Sequence, residues 1–102
     1  MTIVTLRAIL MIRNFKHRGL KWLYEEDDGR GIRPDLRERI EDILARLDAA
    51  TVPEAMNLPG YRLHQLKGDL TGFWSLTVRA NWRIIFRLDG NDAVDVELID
   101  YH

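Results

Sequence analysis

The sequence contains no cysteine. This removes disulfides, thiolate nucleophiles and cysteine-ligated zinc together, and it fits a reducing compartment. Long apolar runs are also missing: the longest, residues 8–12, spans five positions, where a membrane helix needs about 20. Arg7 is the only charge near the N-terminus and lies inside that apolar stretch. No small-residue cleavage pattern follows, so the segment does not read as a secretory signal. There is no Gly-rich phosphate loop and no GxSxG elbow, and the single serine, Ser75, falls in a strand-like stretch. No HxxxH or HxH pairing is present to support a metal. The expectation is a cytoplasmic chain with no metal, no small-molecule cofactor and no membrane partner.

What remains is 102 residues, 46% hydrophobic and 30% charged, enough for one core without covalent staples and too apolar for a disordered chain. The net charge of −1 hides a gradient. Acids dominate residues 34–60. Residues 61–90 carry Arg62, Lys67, Arg79, Arg83 and Arg87 against Asp69 and Asp89, and residues 91–102 have four acids and no Lys or Arg. A local basic segment of this kind suits phosphate contacts, but on charge alone a solvated charged face is the commoner reading.

Periodicity divides the chain. Residues 11–15 read as a short strand. Residues 17–28 read as a first helix, with Leu20, Leu23 and Tyr24 on one side and an acidic end, 25–28, that the helix dipole should fray. Pro34 suits a first helical position, and Leu36, Ile40, Ile43, Leu44 and Leu47 form a stripe with a 3.6-residue period. A single turn is expected near residues 54–57. From Tyr61 the period becomes two. Trp74, Leu76, Val78 and Ala80, then Trp82, Ile84, Phe86 and Leu88, then Val94, Val96 and Leu98 alternate with polar neighbours. The pattern predicts an α+β fold, two N-terminal helices packed on one face of a four-strand antiparallel meander. It leaves Arg79, Arg83 and Arg87 together on the opposite face, where Asp95 and Glu97 either neutralise them in cross-strand pairs or leave an anion-binding surface.

Three histidines complete the inventory. His17, near a helix start, reads as solvated or capping. His64 lies on the first meander strand, on the side of Arg62, with Lys67 just beyond, and His102 follows Asp100 and Tyr101. Two histidines with a lysine and arginines on one face suffice to cleave RNA without metal. One base takes the 2′-hydroxyl proton, one acid protonates the departing 5′-oxygen, and cations stabilise the phosphorane. Histidine suits both tasks because its pKa of about 6.5 leaves both protonation states populated near neutrality.

The segments LPGYRLH (58–64), LKGD (66–69), GFWS (72–75), NWR (81–83) and VELIDYH (96–102) resemble the HigB branch of the RelE/ParE toxin superfamily. The resemblance runs from about residue 11 to 102 and makes residues 1–10 an N-terminal extension, an upstream start or a tail. It implies a RelE-like fold and a toxin of a type II toxin–antitoxin system. The expected activity is that of a ribosome-dependent mRNA endoribonuclease, with a helix-turn-helix antitoxin encoded nearby and with the ribosome and mRNA as partners. Carried over position by position, it implies His64 and His102 as the proton-transfer pair, acid and base unassigned, with Lys67 and Arg83 stabilising the phosphorane. Tyr101 is expected to stack on or orient a base, and Arg79, Asn81 and Asp100 to bind substrate. Asn81 and Tyr101 also read as a turn residue of positive φ and a sheet-edge aromatic. Two other functions fit the same chain: a non-nucleolytic ParE-like toxin acting on a protein such as gyrase, and a degenerate antitoxin-binding module. Both dispense with the histidines and the lysine.

Overall fold

The computed structural model describes residues 11–50, 53–90 and 92–101; the expectations for residues 1–10 and for His102 lie outside them. The elements run β1 (Met11–Ile12), α1 (Arg18–Glu26), α2 (Pro34–Ala49), a 3-10 turn (Pro53–Met56), β2 (His64–Gln65), a second 3-10 turn (Gly68–Leu70), β3 (Phe73–Arg79), β4 (Trp82–Asp89) and β5 (Asp92–Asp100). The strands form one sheet in the order β1-β5-β4-β3-β2. β2 to β5 are the expected antiparallel meander. β1 adds a fifth strand, parallel to β5 at the far edge.

The helices form where the sequence places them, for local reasons. Pro34 opens α2 with Asp35 in its first turn, which suits the missing proline N–H and the helix dipole. All five stripe residues, Leu36, Ile40, Ile43, Leu44 and Leu47, are buried against the sheet, each worth roughly 1.5–3 kcal/mol of transfer free energy. From the sheet side, Leu76, Val78, Ile84, Phe86, Ala93, Val96 and Leu98 meet them.

α1 starts on His17, whose Nδ1 accepts the Leu20 amide at 3.1 Å. The capping reading of His17 therefore holds. The expected fraying at the acidic end does not: Asp27 adopts a left-handed conformation, φ 55°, and its amide returns to the Leu23 carbonyl at 3.1 Å. An aspartate thereby closes the helix as glycine commonly does, because Asp tolerates the left-handed region better than most residues. Asp48 ties three elements together, accepting the Tyr24 hydroxyl at 2.6 Å and the Ile12 amide at 3.4 Å from its place on α2. Among the described residues no helix is long and apolar enough to cross a membrane.

Candidate active site

The strand register decides which side chains share the face opposite the helices. Directly opposed residues point to one side of a sheet. His64 faces Ser75, Ser75 faces Ile85, and Ile85 faces Glu97, so these four form one row across β2 to β5. The next row toward the β3–β4 turn is Thr77, Arg83 and Ile99, and the row on the other side is Phe73, Arg87 and Val94. The middle of this face is apolar and closed over: Ile85 is 1% and Ser75 2% exposed, with Val94 and Leu66 also buried. The chemistry-bearing side chains stand around that floor.

Two bulges set their positions. β5 carries one extra residue where Ile85–Arg87 face Glu97–Val94, at Asp95, which has φ 54°. β3 carries one where Thr77 and Arg79 face Arg83 and Trp82. The second bulge overturns the expectation of three arginines side by side. Arg79 is paired with Trp82, which packs on the core, and its guanidinium reaches Asp35 of α2 at 3.6 Å, on the helix side. Arg87 donates to Asp95 and lies 5.8 Å over the Phe73 ring, the neutralised arrangement weighed from the sequence. Arg83 alone keeps its charge on the open face without an ionic partner among the described residues. Its Nη1 donates to the carbonyls of Ala80, at 2.5 Å, and Trp82, at 3.1 Å.

That fold-back brings Arg83 to the β3–β4 turn, where the last described residues arrive. The Tyr101 amide donates to the Asn81 carbonyl at 2.7 Å, and Asp100 is opposite Trp82. Tyr101 is exposed, with 47% of its surface open. The structure thus gathers Asn81, Arg83 and Tyr101 at one end of the face, while Asp100, opposite Trp82, falls in the row of Arg79 on the helix side. The left-handed turn position is Ala80, φ 52°, rather than Asn81.

His64 stands one row away and two strands across from Arg83, roughly 12 Å between α-carbons from the strand spacing and rise. It is exposed, and its Nδ1 lies 3.0 Å from the Arg62 carbonyl. A carbonyl only accepts, so Nδ1 carries a proton and Nε2 is the nitrogen left for exchange. Lys67 caps the 3-10 turn beyond β2, exposed, on the far side of His64 from Arg83. Arg62 and Lys67, like Arg83, form no ion pair among the described residues. Chemically, the face offers an exposed imidazole and an arginine, with an aromatic ring and an amide at one end, and Lys67 stands at the turn that follows β2.

Glu97, weighed from the sequence as a partner of the arginines, instead shares the row of His64 and acts electrostatically on His17. Sequence reasoning missed the Arg62 carbonyl, for which a left-handed backbone, φ 53°, leaves no sequence mark.

Comparison with known proteins identifies the family and the fold. A family model described as RelE-like toxin of type II toxin-antitoxin system HigB matches residues 13–102. The chain is 47% identical to Endoribonuclease HigB of Proteus vulgaris over 90% of its own length and 100% of the relative's. It is 35% identical to Toxin HigB-1 of Vibrio cholerae, covering 78% of this chain and 87% of the relative. In fold it is similar to the YoeB dimer structure from Staphylococcus aureus, with a TM-score of 0.54 and 17% identity, covering 92% of this chain and 95% of that one. The chain therefore belongs to the HigB-like family of RelE-like toxins of type II toxin–antitoxin systems.

Proposed function

We propose that this toxin is an endoribonuclease that cuts messenger RNA on the ribosome by acid–base chemistry carried by its own side chains. The observation that carries the reading is His64: exposed, with Nδ1 committed to a carbonyl and Nε2 without a hydrogen-bond partner among the described residues, near Arg83 and Lys67, neither of which has an ionic partner among those residues. One imidazole removes the 2′-hydroxyl proton, and the 2′-oxygen attacks the adjacent phosphorus. The bond to the 5′-oxygen breaks as a second group protonates it, leaving a 2′,3′-cyclic phosphate and a free 5′-hydroxyl. His64 and His102 are the proton-transfer pair. His102 follows Tyr101 in sequence, and Tyr101 is tied to the turn beside Arg83.

Lys67 and Arg83 supply the positive charge that the phosphorane needs, each such contribution being worth about 10²–10³ in rate. Arg83 suits it because, among the described residues, its hydrogen bonds to carbonyls run through Nη1, leaving the rest of its planar fork for a phosphate. Tyr101 offers a ring for a base to stack on, Asn81 positions the strand, and Asp100, in the row of Trp82 on the helix side, takes no part. Arg79 takes no part, since it sits beside Asp35 on the helix side.

As a member of a type II system the toxin has an antitoxin partner. We assign that partner the helix-turn-helix class encoded nearby, and the cytoplasm as the place where both meet the ribosome. The test is inducible expression of wild type beside His64→Ala and His102→Ala, with mRNA 5′ ends mapped from each culture. Growth arrest with new in-frame ends that vanish in both variants is the expected result. Arrest of equal depth in all three strains without new ends sinks the nuclease reading.

A further inference from the structure

The approach to β2 is irregular in a way that acts on one side chain. The Leu66 amide donates to the Phe73 carbonyl at 2.9 Å, and His64 faces Ser75. In an antiparallel ladder hydrogen-bonded pairs recur every second residue. The same register continued would set Arg62 opposite Thr77, with the Thr77 amide on the Arg62 carbonyl. The Thr77 amide instead donates to Tyr61, at 2.7 Å. One extra residue has been inserted, and Arg62 absorbs it in a left-handed conformation, φ 53°, which is uncommon for a side chain of this size. The carbonyl released from the ladder is the one that meets His64 Nδ1 at 3.0 Å.

We propose that the left-handed Arg62 is a positioning residue: by withdrawing its carbonyl from the β2–β3 ladder it holds the His64 ring with Nδ1 protonated and Nε2 presented to the substrate. The inference rests on the reading of His64 as a proton-transfer group. It assigns the role to the backbone of residue 62 and not to the guanidinium. Strain at a site that a regular strand would fill without cost commonly accompanies function, and here the strained peptide touches the candidate imidazole directly. Leu63 packs on the core and Tyr61 is buried, so both flanking side chains pin the bulge in place.

The experiment separates conformation from charge. Glycine adopts the left-handed region freely, asparagine tolerates it, and valine resists it. Arg62→Gly, Arg62→Asn and Arg62→Val are compared for His64 ring-nitrogen shifts by NMR and for cleavage of mRNA in ribosome-bound complexes. Wild type, Arg62→Gly and Arg62→Asn should show neutral His64 with Nδ1 protonated and Nε2 unprotonated, and cleave within about threefold of one another. Arg62→Val should show a mixture of tautomers and cleave at least about tenfold more slowly, the lower end of what proton-transfer groups contribute. Two outcomes overturn the proposal: Arg62→Val retaining both the single tautomer and the rate, or Arg62→Gly losing as much as Arg62→Val. The control His64→Ala keeps the two levels apart. Wild-type cleavage in that variant removes His64 from the chemistry, while the ring-nitrogen shifts still decide whether Arg62 sets the tautomer.

Discussion

Arg87 donates to Asp95 through both Nε, at 3.0 Å, and Nη2, at 2.5 Å, across the bulge that separates β4 from β5. The pair divides two arginines that share one face and one strand. Arg87 is spent on a carboxylate and an aromatic ring, whereas Arg83, among the described residues, donates to carbonyls and forms no ion pair. The two should respond oppositely to truncation. Arg83→Ala should cut the cleavage rate by about 10²–10³ with little change in Tm, the usual loss for one transition-state donor. Arg87→Ala should keep the rate within a fewfold and lower Tm slightly, as expected for a solvent-exposed ion pair. Rates and melting curves for both variants decide the matter, and equal rate losses would contradict the division.

Asp95 also predicts the acid limb of the stability curve. The Asn14 side-chain amide, first, and Arg87, second, hold its carboxyl below the ordinary carboxylate value. A depressed folded-state pKa contributes stability that is present above the unfolded value and is lost as pH falls through the folded one. Wild-type Tm should therefore drop below about pH 4, the unperturbed carboxylate range. Asp95→Asn should be flatter over the same interval. Asparagine is the right probe because it tolerates the left-handed backbone at this position, φ 54°.

Gly19 makes a third test, one where two effects compete. Replacing it with alanine raises helix propensity by about 1 kcal/mol. The new Cβ, however, would stand 2.5 Å from the Gly31 carbonyl oxygen, a backbone atom with no rotamer to yield. Overpacking of that kind costs about 1–3 kcal/mol. The clash should win, and Gly19→Ala should melt several degrees below wild type. A rise in Tm would mean that α1 does not rest on the 29–32 turn.

The legible parts of this molecule were those where one local signal dominates. Pro34 and the Leu36–Leu47 stripe fixed α2 almost to the residue, and alternation located β3, β4 and β5. The types of residue that make up the candidate site were equally plain. What escaped was set by single backbone conformations. Alternation alone put Arg79 with Arg83 and Arg87; an inserted residue and a left-handed Ala80 turned it to the helix side. The parallel β1 edge has only two paired residues, and Asp48 on α2 helps to hold it. No periodicity in two residues could announce that pairing. Arg62, Asp27 and Asp95 are all left-handed positions filled by residues other than glycine, so the usual sequence mark of such positions is missing.

His17 carries the last prediction, because it caps α1 only while its Nδ1 is unprotonated. That nitrogen accepts the Leu20 amide, and burial holds the imidazole pKa below its ordinary value while Glu97 pulls weakly the other way. The unfolded chain then binds a proton that the folded chain resists, so stability is complete above about pH 6.5 and falls as pH drops below it. Protonation also removes the cap, an interaction of about 1 kcal/mol. Asparagine is a strong capping residue with no titration in this range, so His17→Asn should keep α1 and abolish the slope. Melting curves between pH 7.5 and about pH 5 should show wild type losing stability that the variant retains, over and above the loss shared with other groups. Parallel curves for the two proteins would remove His17 from the pH response and leave its capping bond as a purely structural contact.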